Sequence, residues 1–120
     1  MTDIRPQDTI TIHPSVLLTT AERAATNVKG VSRMGNIPDV VVNLFRGHPQ
    51  GNGVVLDLDK DKTVRIELYL VMMAGIDMVQ TSKLVQQAVT RSIQDLVGMT
   101  VRAVNVHIED VDYVSAEQPG

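Results

Sequence analysis

The 120-residue sequence contains no cysteine and only three aromatic residues, Phe45, Tyr69 and Tyr113. Without cysteine there can be no disulfide framework, no thiol nucleophile and no thiolate metal site. With so few rings the core must be built from aliphatic side chains and methionine. A sheet that recognises RNA by stacking bases on aromatic residues is therefore not expected.

Positive charge and long apolar runs are also scarce. Lysine and arginine number 11 against 14 acidic residues, which gives a net charge of −3 and no general attraction to phosphate backbones or anionic lipid. The longest apolar stretch, "LYLVMMAGI", is far shorter than the roughly 20 residues that span a bilayer. The start, "MTDIRPQDT", lacks a basic-then-apolar signal pattern. We predict a soluble cytoplasmic protein that binds no nucleic acid, does not insert directly into a membrane, and needs a partner for any membrane association.

The first half of the chain predicts a strand, a helix and a second short strand. "TITIHPS" alternates in polarity as a strand does. A helix is expected to start at Pro14 and to end at Lys29-Gly30, with an apolar stripe of Leu17, Ala21, Ala24 and Val28. "GVSRMGN" has room for a brief strand, and "HPQGNG" has the composition of a loop. "IPDVVVNLFRG" fits a strand by its valines or a short helix by its Pro-Asp start.

The second half predicts a β-hairpin, a long helix and a final strand. The hairpin strands alternate over residues 54–58 and 64–72, with a charged turn at "KDK". Ala74-Gly75 breaks the second strand, and Asp77 with Gln80 forms a plausible capping pair for a helix over residues 78–97. The predicted apolar face of this helix comprises Met78, Val85, Val89, Ile93 and Leu96. Gly98 ends the helix, and the final strand alternates in polarity.

The element order β-α-β-(α)-β-β-α-β defines the expected fold class. Two amphipathic helices and strands with one apolar face each predict an α+β, single-domain, two-layer α/β sandwich, with the two main helices packed on a mixed sheet. We expect the domain to span residues 9–114. Residues 1–8 and 115–120 are expected to be flexible termini.

Asn105, His107 and Glu109 occupy every second position of the final strand, as metal ligands on one face would. Same-face neighbours on a strand are about 7 Å apart, so a tight site needs a further contributor, such as His13 if its strand pairs beside the last one. Polar residues that alternate with valine and isoleucine are also typical of any half-exposed strand. We interpret the three residues as the solvated side of a strand, and predict no catalytic, cofactor-binding or metal-binding residue and no cofactor.

The hairpin turn carries a second pattern that resembles a cation site. Asp57, Asp59 and Asp61 match the first, third and fifth positions of a calcium-binding loop. Lys62 stands where that loop needs glycine, and Leu68 stands where it needs a bidentate glutamate. A charged turn that keeps a sheet edge soluble is the favoured interpretation. The chain also lacks a nucleophile elbow, dinucleotide and phosphate-loop motifs, and the G-x-x-G loop of KH-type RNA modules.

Several methionines and the apolar end of one strand could lie either in the core or on a contact surface. Met72, Met73 and Met78 cluster around Gly75, and we favour a place for them in the core. Val71 and Met73 follow Tyr69 on the polar side of the hairpin strand. This apolar end is predicted to be covered by another chain.

Three stretches taken together resemble a known family. They are "ITIHPSVLLTTAERAATNVKGV", "GVVLDLDKDKTVRIELYLVMMAGIDM" and "LVQQAVTRSIQDLVGMTVRAVNVHIEDV", and they resemble the alkaline-shock, envelope-stress protein family of Gram-positive bacteria over residues 9–114. The match is carried by the order and spacing of the Val28-Lys29-Gly30-Val31 turn, the strand break at Gly75 and the closing strand. Family members often have an aromatic residue before that glycine, where this chain has Met73-Ala74. The resemblance favours a short helix in "PDVVVNLF".

The resemblance implies a non-enzymatic role in cell-envelope homeostasis and in alkaline or general stress. Members of the family self-assemble in the cytoplasm, some gather at the membrane through a small anchored relative, and others are linked to fatty-acid metabolism. The leading hypothesis is therefore a scaffold or interaction protein that forms a homo-oligomer and docks on a membrane-anchored partner. The alternative is a binding module for a small molecule or acyl-lipid precursor. An enzyme built on His107 and Glu109 is the least favoured hypothesis.

Overall fold

The computed structural model describes residues 9–113. In chain order the elements are α1 (Pro14–Thr26), β1 (Val31–Met34), α2 (Asp39–Leu44), β2 (Gln50–Gly51), β3 (Val54–Leu58), β4 (Thr63–Met73), α3 (Met78–Ser92) and β5 (Thr100–Asp112). A π-helical turn, Ile93–Val97, extends α3 before β5. The segment "IPDVVVNLFRG", whose sequence fits either a strand or a short helix, contains the helix α2.

Strand β4 is the centre of the sheet because it pairs along both of its edges. On one edge its first half is antiparallel to β3, from Leu58 opposite Val64 to Val54 opposite Leu68. On the same edge its second half is antiparallel to β1. The other edge pairs in parallel with β5 along the full length of β4, and β2 continues the sheet beyond β3. The sheet is therefore mixed, as predicted.

One face of this sheet carries the core. Alternate residues of β4 point to the helices and are fully buried: Val64, Ile66, Leu68, Leu70 and Met72. They pack with a stripe from α1 and another from α3: Leu17, Ala21, Ala25, Val85, Val89 and Ile93. Alternation in the strand and the i, i+4 spacing in the helices place aliphatic side chains in the same layer. The predicted two-layer α+β fold is confirmed, with Met72 in its core.

The predicted first strand is wrong. Residues 9–13 have no regular secondary structure, and Ile10 is 80% exposed. An alternating segment becomes a strand only where its backbone pairs with that of a neighbour, and residues 9–13 pair with no strand of the sheet. The expected flexible termini lie outside the described residues, so the domain limits of 9–114 stay a prediction.

The long helix begins as predicted, but its predicted apolar face does not stay buried up to its last residues. The Asp77 carboxylate accepts a hydrogen bond from the Gln80 backbone N–H at 3.0 Å and so caps α3. The π-helical turn is wider than an α-helical one, so it rotates the final residues of the helix relative to the buried stripe. Leu96, predicted on the apolar face, is 77% exposed for this reason. Gly98 ends the turn in a left-handed conformation.

Gly53 lies at the point where β1 and β3 meet end to end along β4. The Tyr69 N–H donates to the Gly53 carbonyl at 2.8 Å, and the Gly35 N–H donates to the Tyr69 carbonyl at 2.7 Å. Gly53 has a φ of +77°, and a Cβ there would lie 2.7 Å from the carbonyl oxygens of both Gly35 and Tyr69. A side chain at this position would therefore be strained and would also clash with backbone.

We predict that Gly53→Ala strongly destabilises the protein, by roughly 3 kcal/mol or more in the free energy of unfolding, because it combines positive φ with overpacking. Gly47→Ala tests positive φ alone, since a Cβ at residue 47 would meet nothing within 4 Å, and should cost about 1–2 kcal/mol. Gly51→Ala has neither problem and should change stability by less than about 0.5 kcal/mol. Urea denaturation measures all three, and equal losses for Gly53→Ala and Gly47→Ala would contradict the clash.

Candidate functional site

The second face of the sheet carries a polar cluster centred on Glu67. The parallel register of β4 and β5 places Glu67 opposite Asn105, and Tyr69 opposite His107. Glu67 Oε2 accepts a hydrogen bond from Asn105 Nδ2 at 2.7 Å. Glu67 Oε1 lies 2.7 Å from His107 Nε2, which donates to the carboxylate. We call these four residues the Glu67 cluster.

The Glu67 cluster is tightly packed. The Glu67 side chain is only 13% exposed, and the His107 ring stacks on Tyr69 with the ring centroids 4.5 Å apart and the planes 12° from parallel. Both carboxylate oxygens are engaged by neighbouring side chains, so the cluster is a hydrogen-bonded surface of the sheet. Two of the three residues singled out in the last strand, Asn105 and His107, belong to it. The sequence pattern did not reveal Glu67 as the hydrogen-bond partner that Asn105 and His107 share.

Glu109 does not join the other two residues of its predicted row. The pairing of β4 with β5 shifts between Leu70 and Val71, where one extra β5 residue is inserted. This β-bulge takes Glu109 out of the regular alternation. His13 lies in residues 9–13, outside the sheet, and so does not complete a site with His107. Among residues 9–113, no group of three or more histidine and acidic side chains is placed to hold a metal ion.

The aspartates of the hairpin each have their own partner. Asp57 Oδ2 lies 2.7 Å from Arg65 Nη2, and Asp59 Oδ2 lies 3.0 Å from Arg102 Nη1. Asp61 turns back to its own loop and accepts hydrogen bonds from the hydroxyl and the backbone N–H of Thr63. The three carboxylates therefore engage neighbouring side chains and backbone, and the pattern that resembled a calcium loop is a charged turn.

Arg65 connects the hairpin charges with the Glu67 cluster. Its Nη2 pairs with Asp57, while its Nε lies 3.7 Å from Glu67 Oε2. That Nε is buried and has no hydrogen-bond partner within the described residues. A guanidinium between two carboxylates screens their mutual repulsion. The second face thus carries one continuous band of charged and polar side chains.

The prediction that another chain covers the apolar strand end is wrong for Val71, which its own chain buries. Val71 is 2% exposed, while Met73 is half-buried. Val71 shares a small cleft with Gly35 and Asn36, which follow β1, and with Glu109 and Asp110 from the β5 bulge. These segments cover it within the same chain. Exposure of the strand's polar side was inferred from alternation, which does not reveal that distant segments cross over it.

Burial and charge both raise the pKa of Tyr69. The largest cause is desolvation of its hydroxyl, followed by the negative charges of Glu67 and then Glu109. A raised pKa means that folding favours the neutral phenol. The stability from this group is therefore fully present below the ordinary tyrosine pKa of 10.0 and is lost as pH rises through the higher folded-state pKa.

We predict that Glu67→Gln lowers the pKa of Tyr69 towards its ordinary value, because the substitution removes the charge with the larger effect and keeps a hydrogen-bonding side chain. The measurement is the phenolate absorbance against pH in a Tyr113→Phe background, which leaves Tyr69 as the single tyrosine. Asp95→Asn removes an exposed carboxylate elsewhere and is the control. An unchanged midpoint in Glu67→Gln would show that the carboxylate does not act on Tyr69.

A groove of about 530 Å³ lies in the helical layer, between α1 and the end of α3. Its apolar lining includes Val16, Ala24 and the exposed Leu96, and Arg23 and Asn27 supply polar groups. The groove is on the opposite side of the sheet from the Glu67 cluster. No helix among residues 9–113 is long and apolar enough to cross a bilayer.

The chain forms a small two-layer α+β domain, and the charged side chains on the outer face of its sheet are joined by hydrogen bonds and ion pairs. Residues 3–113 match the alkaline shock protein 23 family, whose function is described as cell envelope-related. The chain belongs to this family. The envelope connection expected from the resemblance is thereby confirmed at the level of the family.

Two relatives come from Streptococcus pyogenes serotype M6, and both are uncharacterised proteins. Spy1535 is 28% identical over 102 residues, which cover 85% of this chain and 78% of the relative. Spy1614 is 28% identical over 108 residues, 88% of each chain. Neither name assigns an activity to this sequence.

Solved structures of the MamM CTD have a similar fold. A cysteine-to-serine variant matches with a TM-score of 0.53 and 11% identity, over 84% of this chain and all of that chain. A copper form of the MamM CTD matches with a TM-score of 0.52, also at 11% identity, over 83% of this chain and all of that chain. At this identity the likeness concerns the fold alone.

Proposed function

We propose that the protein is a non-enzymatic scaffold of the cell envelope stress response, which self-associates in the cytoplasm and is recruited to the membrane by a small anchored partner. Membership of an envelope-related family over residues 3–113 is the observation that carries this proposal. The role in alkaline or general stress rests on the same resemblance. Val71 lends it no support, because the chain itself covers that residue.

The chemistry of the polar face agrees with an interaction role. The carboxylates of Glu67, Asp57 and Asp59 are engaged by neighbouring side chains, which stabilises the surface and fixes the direction of its charges. Such fixed charges favour recognition of a complementary surface over proton transfer to a substrate. Exposed apolar side chains on α2, Val40 and Leu44, add contact area on a separate part of the molecule.

We predict that a tagged copy, cross-linked in its native cells, co-purifies with untagged copies and with a membrane protein from the membrane fraction. The purified protein should also show by light scattering a mass at least twice the 13.1 kDa of one chain. The tag alone is the control for the pull-down. A strict monomer, recovered with neither a second copy nor a membrane protein, would contradict the scaffold.

A second candidate function is supported by the groove between α1 and α3. Its volume of about 530 Å³ lies in the range of small-molecule pockets, and apolar side chains with a few polar groups suit an acyl chain with a polar end. In this alternative the protein is a binding or regulatory module for a small molecule or acyl-lipid precursor linked to fatty-acid metabolism. The binding surface would be the helical layer.

For this alternative we predict that a medium-chain acyl ligand raises the melting temperature by several degrees at saturation. Leu96→Glu should abolish the shift, because it places a charge against the acyl chain. Leu44→Glu is the matched control, since Leu44 is 75% exposed and Leu96 77% exposed, but Leu44 lies on α2. Scanning fluorimetry measures all three proteins, and the absence of a saturable shift in the wild type would remove this candidate.

A further inference from the structure

Strand β5 has one long edge without a partner strand in the described part of the chain. It runs for 13 residues, about 40 Å, and pairs with β4 along its other edge only. The Val104 carbonyl accepts a hydrogen bond at 3.0 Å from the side chain of Gln86, an exposed residue of α3. Unpaired edges invite the addition of another strand unless bulges, charges or coverings prevent it.

Two irregularities interrupt β5, one in each half of the strand. Relative to β4, the strand contains an extra residue between Val101 and Ala103 and another between Ile108 and Asp110. The extra residues are therefore Arg102 and Glu109. As a result, the residues paired with the helix-facing side of β4 are Val101, Val104, Val106, Ile108 and Val111. This set is symmetric about Val106, with members two and five residues away on each side.

We propose that this edge pairs antiparallel with the same edge of a second copy, about a two-fold axis at Val106, and so builds the self-association. The inference rests on the proposed scaffold function and names its surface. In a two-fold pair each residue faces its mirror position, with side chains on the same face of the joined sheet. The occupant of the edge is thus a second copy of this chain.

The opposed side chains in this register are complementary. Arg102, which also pairs with Asp59 of its own chain at 3.0 Å, would face Asp110 of the second copy on each side of the axis. Val104 faces Ile108, and Val101 faces Val111, so apolar side chains continue the helix-facing layer. Opposite charges and β-branched pairs directly across strands are both stabilising. No position of the strand faces a residue of the same charge.

The two neighbouring registers lose this match. A centre at Asn105 places Val101 opposite Glu109, and a centre at His107 places Val104 opposite Asp110. Both put an apolar helix-facing residue against a charged one, either Glu109 at the bulge or Asp110 next to it. The spacing of the two bulges therefore selects one register, which is how a strand edge becomes specific for its partner.

The same register joins the Glu67 clusters of the two copies. Asn105 would face His107 of the second copy across the axis, with Cβ atoms about 4.5–5.5 Å apart. Each is bonded to its own Glu67 at 2.7 Å. The polar side chains of the last strand then lie at the seam of the joined sheet, where Glu67 holds them in position.

The absence of cysteine from the chain allows a direct test by single-cysteine cross-linking. Val106→Cys places the two thiols opposite each other at the axis, so mild oxidation should convert most of the protein to a disulfide dimer. Thr100→Cys lies on the same strand, but its two copies would be about 40 Å apart, so it should stay uncross-linked. Cross-linking of Thr100→Cys and not of Val106→Cys would overturn the register.

A charge variant tests the same edge without touching the core. Asp110→Arg faces Arg102 with like charge at both ends of the pair, and should weaken the dimer roughly tenfold or more by analytical ultracentrifugation. Asp95→Arg makes the same change of charge on the π-helical turn and should leave the dimer unchanged. Because Asp110 is exposed, Asp110→Arg is expected to fold, which circular dichroism checks.

The outcomes separate this inference from the proposed function. An oligomeric wild type with no Val106→Cys disulfide and no effect of Asp110→Arg overturns the edge and leaves the scaffold standing. A wild type that stays monomeric at all concentrations overturns both. Disulfide formation at Val106→Cys together with weakening by Asp110→Arg, and not by Asp95→Arg, establishes the edge as the dimer surface.

Discussion

The pairing of β4 along both edges is the constraint on which the rest of the structure depends. Its backbone holds β3 and β1 end to end on one side and β5 on the other. Because side chains alternate across a strand, the same eleven residues supply the centre of the core to the helices and the anchors of the polar face. Gly53 matters for the same reason, since it lets two strands share one edge without a clash.

The ionisable side chains of the polar face engage one another. Glu67 engages Asn105 and His107, Arg65 lies between two carboxylates, and His107 stacks on Tyr69. Side chains that satisfy one another in this way stabilise a surface and present it in one arrangement. This is the property that the proposed interaction role would require of a binding face.

The two proposed activities would use different parts of the molecule. Self-association would use the edge of β5 that has no partner strand among residues 9–113, whereas ligand binding would use the groove in the helical layer. The protein could therefore self-associate and bind an acyl ligand at the same time. The π-helical turn connects the two regions, because it brings Leu96 to the groove and leads through Gly98 into β5.

The sequence by itself determined most of the element types and most of the core, because local periodicity records which side of a segment is buried. It predicted the alternation of β4, the cap of α3 at Asp77 and the stop at Gly98, all of which are local effects. Tertiary structure alone decided that Glu67 joins Asn105 to His107, that Val71 is covered, and that residues 9–13 find no partner strand. The register between segments some 40 residues apart depends on topology and bulges, and a period-2 pattern carries no information about which strand lies beside it.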